Sequence, residues 1–163
     1  MESVSYVFGL RGVSVSISDT GIVRYWNSVT GVLNREVFSK TQAKVLTCSR
    51  LPSKNSIICS RQNQDENLIT IFSDRAKLNE QPLPSPVQAI LTDEAQNTGF
   101  LLGLDNEILT VQRLFLNDFS FDDQSYTITV PGLASLSVSK IKNIAKEIKY
   151  VRYNIISLYY RQW

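Results

Sequence analysis

Histidine is absent from this sequence, methionine occurs once and cysteine twice. Without imidazole there is no Ser-His-Asp or Cys-His nucleophile system and no histidine-ligated metal. Cys48 and Cys59, eleven residues apart, lack the spacing of a zinc site. Both sit in apolar, strand-like runs, where cysteine behaves as a small buried hydrophobe, and both are expected as reduced thiols, with a disulfide across neighbouring strands as the alternative. The seven glycines form no phosphate loop, dinucleotide fingerprint or nucleophile elbow, and five prolines are too few for a low-complexity linker. No apolar run approaches the ~20 residues that span a bilayer. Residues 1–10 carry Glu2 and no basic stretch, so no secretory signal is expected and the chain is expected to be intracellular. These absences together argue against an enzyme, and no cofactor, metal or small-molecule substrate is expected.

What is present is a strand pattern. With 43% hydrophobic and 20% charged residues over 163 positions, the chain has the composition of one globular domain able to bury a core. In residues 12–18, Val13, Val15 and Ile17 alternate with Ser14, Ser16 and Ser18, the period of a half-buried strand. Asp19-Thr20-Gly21 supplies a turn, and residues 22–26 return as the partner strand. Residues 32–38 give a weaker third strand. Further strands are expected at 45–49, 56–60, 68–72, 87–92, 100–104, 107–114 and 126–130, the last stopped by Pro131-Gly132. Three hairpins, over residues 13–26, 57–72 and 100–112, align so that Val23, Ile69 and Leu109 take equivalent places, 46 and 40 residues apart. Self-similarity at about 40–45 residues, with several short strands per unit, is the pattern of propeller blades. The expectation is an all-β, partial β-propeller of about two and a half blades of antiparallel strands over residues 1–136. The alternative is a β-sandwich of irregular hairpins.

The run Asp19-Thr20-Gly21-Ile22-Val23-Arg24-Tyr25-Trp26-Asn27-Ser28-Val29-Thr30-Gly31 resembles the turn, third strand and following loop of a WD-repeat blade. Asn27 stands where that family usually has Asp, and the missing histidine removes the Asp–His network that ties many such blades together. The resemblance is therefore to a divergent propeller. Residues 21–26 are also similar to a segment in the amino-terminal propellers of scaffold nucleoporins. The resemblance implies a non-catalytic scaffold in a large protein complex, a nuclear pore component in the nucleus or nuclear envelope. The alternative is a WD-type adaptor of another large assembly, in ribosome biogenesis or trafficking. As a typical propeller has 4–8 blades, the chain is expected to be a piece of a longer protein.

Tyr25, Trp26, Phe72, Phe100 and Phe115 are spaced as strand residues, and Trp26 is expected to be substantially buried. The acidic pairs Asp65-Glu66, Asp93-Glu94 and Asp122-Asp123 fall in expected turns, where carboxylates are solvated. Charge is unevenly placed. Residues 1–136 hold eleven Lys and Arg against fourteen Asp and Glu, while residues 137–163 hold six against Glu147 alone. An acidic strand region disfavours nucleic acid. In the basic segment Val138, Ile141, Ile144, Ile148, Val151, Ile155 and Leu158 recur at helical spacing. Residues 137–163 are thus expected to be a basic amphipathic helix, although the aromatic, β-branched run from Tyr150 also suits a strand. The interaction residues expected are Lys140, Lys142, Ile144, Lys146, Ile148, Lys149 and Arg152. The helix either lies over the open edge of the sheets or docks on an acidic protein or anionic membrane surface.

Overall fold

In the computed structural model of the chain, the described residues are 3–39, 41–73, 79–105 and 107–129. The expected carboxy-terminal helix and the seven interaction residues on it lie outside them. Twelve strands form three consecutive antiparallel sheets, each a meander of four strands in chain order. Sheet 1 holds β1 (Val4–Leu10), β2 (Val13–Ser18), β3 (Val23–Asn27) and β4 (Leu33–Val37). Sheet 2 holds β5 (Lys44–Leu51), β6 (Ser56–Gln62), β7 (Asn67–Ser73) and β8 (Asn79–Leu83). Sheet 3 holds β9 (Ala89–Asp93), β10 (Thr98–Asp105), β11 (Ile108–Phe115) and β12 (Phe121–Thr129). One 3-10 turn, Pro52–Lys54, interrupts them.

The all-β expectation holds, and the three aligned hairpins are β2–β3, β6–β7 and β10–β11. Two and a half units become three, because β1 and β8 complete the first two sheets. β8 (Asn-Glu-Gln-Pro-Leu) is polar and carries Pro82, a composition suited only to an edge strand, where a missing N–H costs no ladder bond. Asp122 and Asp123 belong to β12 and not to a turn.

The sheets meet along their first strands. The Tyr6 hydroxyl donates to the Leu46 carbonyl, joining β1 to β5 at 3.0 Å, and Ser49 and Thr92 join β5 to β9 at 3.3 Å. Outward from that line the facing surfaces are apolar. Val15, Ile17, Val23 and Tyr25 of sheet 1 pack on Ile57, Cys59 and Phe72 of sheet 2. Ile58, Ile69 and Ile71, from the opposite side of sheet 2, pack on Ile90, Leu101 and Leu114 of sheet 3. Successive residues such as Ile57 and Ile58 are both fully buried, so the middle sheet has core on both faces. Three four-stranded meanders joined through their first strands are compatible with a propeller-like arrangement.

One expectation is corrected within this core. Cys48 and Cys59 are buried as expected but form a disulfide, their Cα atoms 4.1 Å apart. A bulge between Val45 and Thr47 shifts the β5–β6 register by one and sets the two cysteines directly opposite. Trp26 is half-buried, on the side of sheet 1 away from sheet 2, where its indole N–H donates to Ser16 Oγ at 2.9 Å. Its neighbour Tyr25, 1% exposed, is the aromatic in the core. The period of two places only one of adjacent residues inside.

Tyr25→Ala should therefore cost about 3–5 kcal/mol, and Trp26→Ala about 1–2 kcal/mol, measured as shifts in a denaturant midpoint. Burial also pushes the Tyr6 phenol above its ordinary value near 10, with a Thr47 hydrogen bond partly opposing the shift. The fold favours the neutral phenol, so its contribution is complete below about pH 10 and is lost as pH rises through the folded value. A thermal-midpoint profile should show this alkaline decline in the wild type, and Tyr6→Phe should flatten it.

Candidate interaction site

The strand Ser56–Gln62 alternates Ile57, Cys59 and Arg61 toward sheet 1, so a charged side chain occupies a core position. Arg61 is 1% exposed and is the largest fully buried side chain among the described residues. Burying a guanidinium is costly unless its charge and donors are met. Glu80 of β8 meets the charge, with its Oε2 2.9 Å from Arg61 Nη1. The Thr41 carbonyl accepts from Nη2 at 2.5 Å, and Thr70 Oγ1 lies 3.4 Å from Nη1. Glu80 is filled in turn by the hydroxyls of Ser39 at 2.8 Å, Thr41 at 3.2 Å and Thr70 at 3.1 Å. Burial pushes the Arg61 guanidinium below its ordinary range, and the charge and hydrogen bond of Glu80 oppose the shift.

These groups come from sheet 2 and the connection that leads into it. Ser39 and Thr41 lie on the crossover from β4 to β5, and the turn between β2 and β3 closes the cluster from sheet 1. Gly21 of that turn has φ +85°, and a Cβ there would lie 2.8 Å from Arg61 Nε. Glycine is thus required twice, for its backbone angle and for the approach of the guanidinium. The Val45 N–H donates to the Asp19 carbonyl at 3.0 Å and ties the same turn to the start of β5.

Outside this lock lies an open cleft of about 400 Å³. Its lining residues follow the locked ones along the chain: Asp19 and Thr20 beside Gly21, Gln42 and Lys44 after Thr41, Gln62 and Asn63 after Arg61. Three turns from two sheets therefore meet at one end of the molecule. Each is held by a side-chain cap, the crossover by Ser39 Oγ, which accepts from the Thr41 N–H at 3.1 Å. Ser18 Oγ accepts from the Ile22 N–H at 2.9 Å, and Asn63 Oδ1 accepts from the N–H groups of Asp65 and Glu66 at 2.9 and 2.7 Å. The lining side chains include a carboxylate, an ammonium, amides and a hydroxyl, with Ala43 among them, and most of the surface they turn to the cleft is apolar. Asp19 Oδ1 is buried with no hydrogen-bond partner among the described residues.

Sequence reasoning missed this site because it sought charge runs and not single charges. The signal was there: Arg61 follows Ile57 and Cys59 in strand alternation, so its register points it inward. The resembled loop is also accounted for. Asn27, standing where Asp is usual, accepts from the N–H groups of Val29 and Thr30 at 2.9 and 3.0 Å, the capping an Asp would provide. The acidic pairs are scattered, with Glu94 accepting from the Ser53 N–H and Asp122 facing Arg113 at 3.8 Å. Among known proteins, no family model and no curated sequence matches the chain.

Glu80→Ala leaves Arg61 buried without its counter-charge and should destabilise the fold by about 3–5 kcal/mol. Replacing both partners, Arg61→Met with Glu80→Gln, should recover most of that loss, because no buried charge is then stranded. Chemical denaturation of the single and double variants measures both effects.

Proposed function

We propose that this chain is a non-catalytic interaction scaffold of propeller type that binds other proteins of a large assembly at the turn-bearing cleft between sheets 1 and 2. The observation that carries the reading is the meeting of three capped turns over the Arg61–Glu80 lock. A surface built from loops on a rigid support suits recognition of a partner segment, since little order has to be gained on binding. Asp19, Lys44 and the amides of Gln42, Gln62 and Asn63 stand beside apolar surface in the cleft, a mixture that a partner segment can meet with both polar and apolar groups.

The resemblance of residues 21–26 to scaffold nucleoporins makes a nuclear pore component the more specific version, with a WD-type adaptor of another assembly as its alternative. A fluorescent fusion separates them: a nuclear rim signal is expected for the first, and another compartment for the second. The cleft itself is tested by Lys44→Glu combined with Gln64→Arg, both exposed and outside the buried lock. Partner recovery in a quantitative proximity-labelling experiment should fall at least roughly tenfold, as for loss of interface contacts worth over 1.4 kcal/mol. The melting temperature should not change. Unaltered recovery would move the binding surface elsewhere.

A further inference from the structure

The face of sheet 1 turned away from sheet 2 is open and graded in height. Two rows of directly opposed residues cross it from β1 to β4, Val7, Ser16, Arg24 and Glu36 in one, Gly9, Ser14, Trp26 and Leu33 in the other. Val7 is 69% exposed and Leu33 43%. In the second row the two residues on β1 and β2 are small and the two on β3 and β4 large. The connections at that end repeat the grading. A tight turn at Arg11 and Gly12 joins β1 to β2, whereas β3 and β4 are joined by the longer loop 28–32, whose Val29 and Val32 are 93% and 61% exposed. Asn27 caps this loop through Val29 and Thr30, and Ser16 holds the Trp26 indole, so the high half is a formed surface.

We propose that this face joins two copies of the chain, related by a two-fold axis that runs along the strands between β2 and β3. That axis lays the high half of each copy on the low half of the other. Leu33 of one copy stands over Gly9 of the other, and Val32 over the Arg11-Gly12 turn. The two Trp26 rings meet side by side at the axis, where a buried aromatic contributes most to association. Two sheets packed face to face at about 30° accept this arrangement.

Two observations select a second copy over another occupant. The first is shape. Gly9 is exposed, and a Cβ built on it meets no atom of the described residues within 4 Å. The hollow there and the height of Leu33 lie at opposite ends of one row, the relation that a contact between identical faces requires. The second is charge. Arg24 and Glu36, the ionised groups of the two rows, neutralise each other at 2.6 Å, so the face meets its like without net repulsion and offers a strongly charged partner nothing. Area then sets the strength. Four strands about 4.8 Å apart, over six residues of about 3.3 Å each, give roughly 400 Å² on each copy. A contact of that size lies at the small end of specific interfaces, so the pair is reversible and its population follows concentration. The cleft lies at the other end of β2 and β3 and stays free in the pair.

Sedimentation velocity of the full chain, from low micromolar to near-millimolar concentration, should show monomer passing reversibly into dimer. Gly9 has no positive φ and open space beside it, so Gly9→Gln should leave the melting temperature unchanged while filling the hollow. Its dimer Kd should rise at least roughly tenfold. Cross-linking reads the geometry. The native cysteines are joined to each other and do not compete. Copies with Gly9→Cys mixed with copies with Leu33→Cys should be coupled by a short bis-maleimide at least roughly tenfold more than either variant alone, because the axis sets position 9 against position 33 and holds like positions apart across the width of the sheet. A chain that stays monomeric throughout would overturn the proposal and leave the face to a sheet of another protein. A dimer unchanged by Gly9→Gln, or a mixture that couples no better than its components, would overturn it too. Should Gly9→Gln lower the melting temperature, the cross-linking comparison decides alone.

Discussion

Ile57 and Ile58 stand next to each other in β6, point to opposite sides of the sheet and are both sealed from solvent. A strand buried on both sides contributes apolar area at each residue, about 1.5–3 kcal/mol for a full aliphatic side chain. It gains this only while a sheet lies on either side. Sheet 2 therefore fixes the order of the molecule, with sheet 1 against one face and sheet 3 against the other. The first strands carry the joint because they can approach most closely there, through small hydroxyl and carbonyl contacts such as Ser49 with Thr92.

The two junctions are held differently. Between sheets 1 and 2 an apolar core ends in the Arg61–Glu80 cluster, which costs desolvation but accepts only one arrangement of turn, crossover and strand. Buried polar groups of this kind define a register more than they add stability. Between sheets 2 and 3 the contact is apolar to its edge. There Lys54 reaches the Leu116 carbonyl and lies 4.8 Å over the Phe119 ring, while Glu94 receives the Ser53 N–H at 3.1–3.2 Å. These outer groups are half in water, and their loss would be felt less than that of Glu80.

The pattern of apolar residues between turn residues made ten of the twelve strands plain in the sequence, all but β1 and β8. β1 escaped notice although Tyr6, Phe8 and Leu10 alternate, since its other face mixes Ser5, Val7 and Gly9. β8 is an edge strand whose residues meet solvent, so it carries almost no apolar pattern. The disulfide could not be read because it depends on the bulge at Val45–Thr47, a single-residue slip that composition does not encode. Tyr25 and Trp26 show the same limit in small: size favours Trp as the core residue, and register chose Tyr. Arg61 was legible in principle, for the reason its alternation with Ile57 and Cys59 gives, but its partner Glu80 lies in the strand that the pattern hides. The lock therefore needed three dimensions.

Every described ladder joins strands that follow one another in the chain, and the covalent link between Cys48 and Cys59 also stays within one hairpin. No ladder must wait for a distant segment. Pairings this local close short loops at small entropic cost and place an all-β protein among the quicker folders of its class. During synthesis at about 5–20 residues per second, each meander can zip up within a few seconds of leaving the ribosome, before the next is complete. Sheet 2 would then emerge with one face already sheltered by sheet 1 and the other bare until sheet 3 appears. The interval between residues 73 and 115 is thus when this chain most exposes its isoleucines to other molecules.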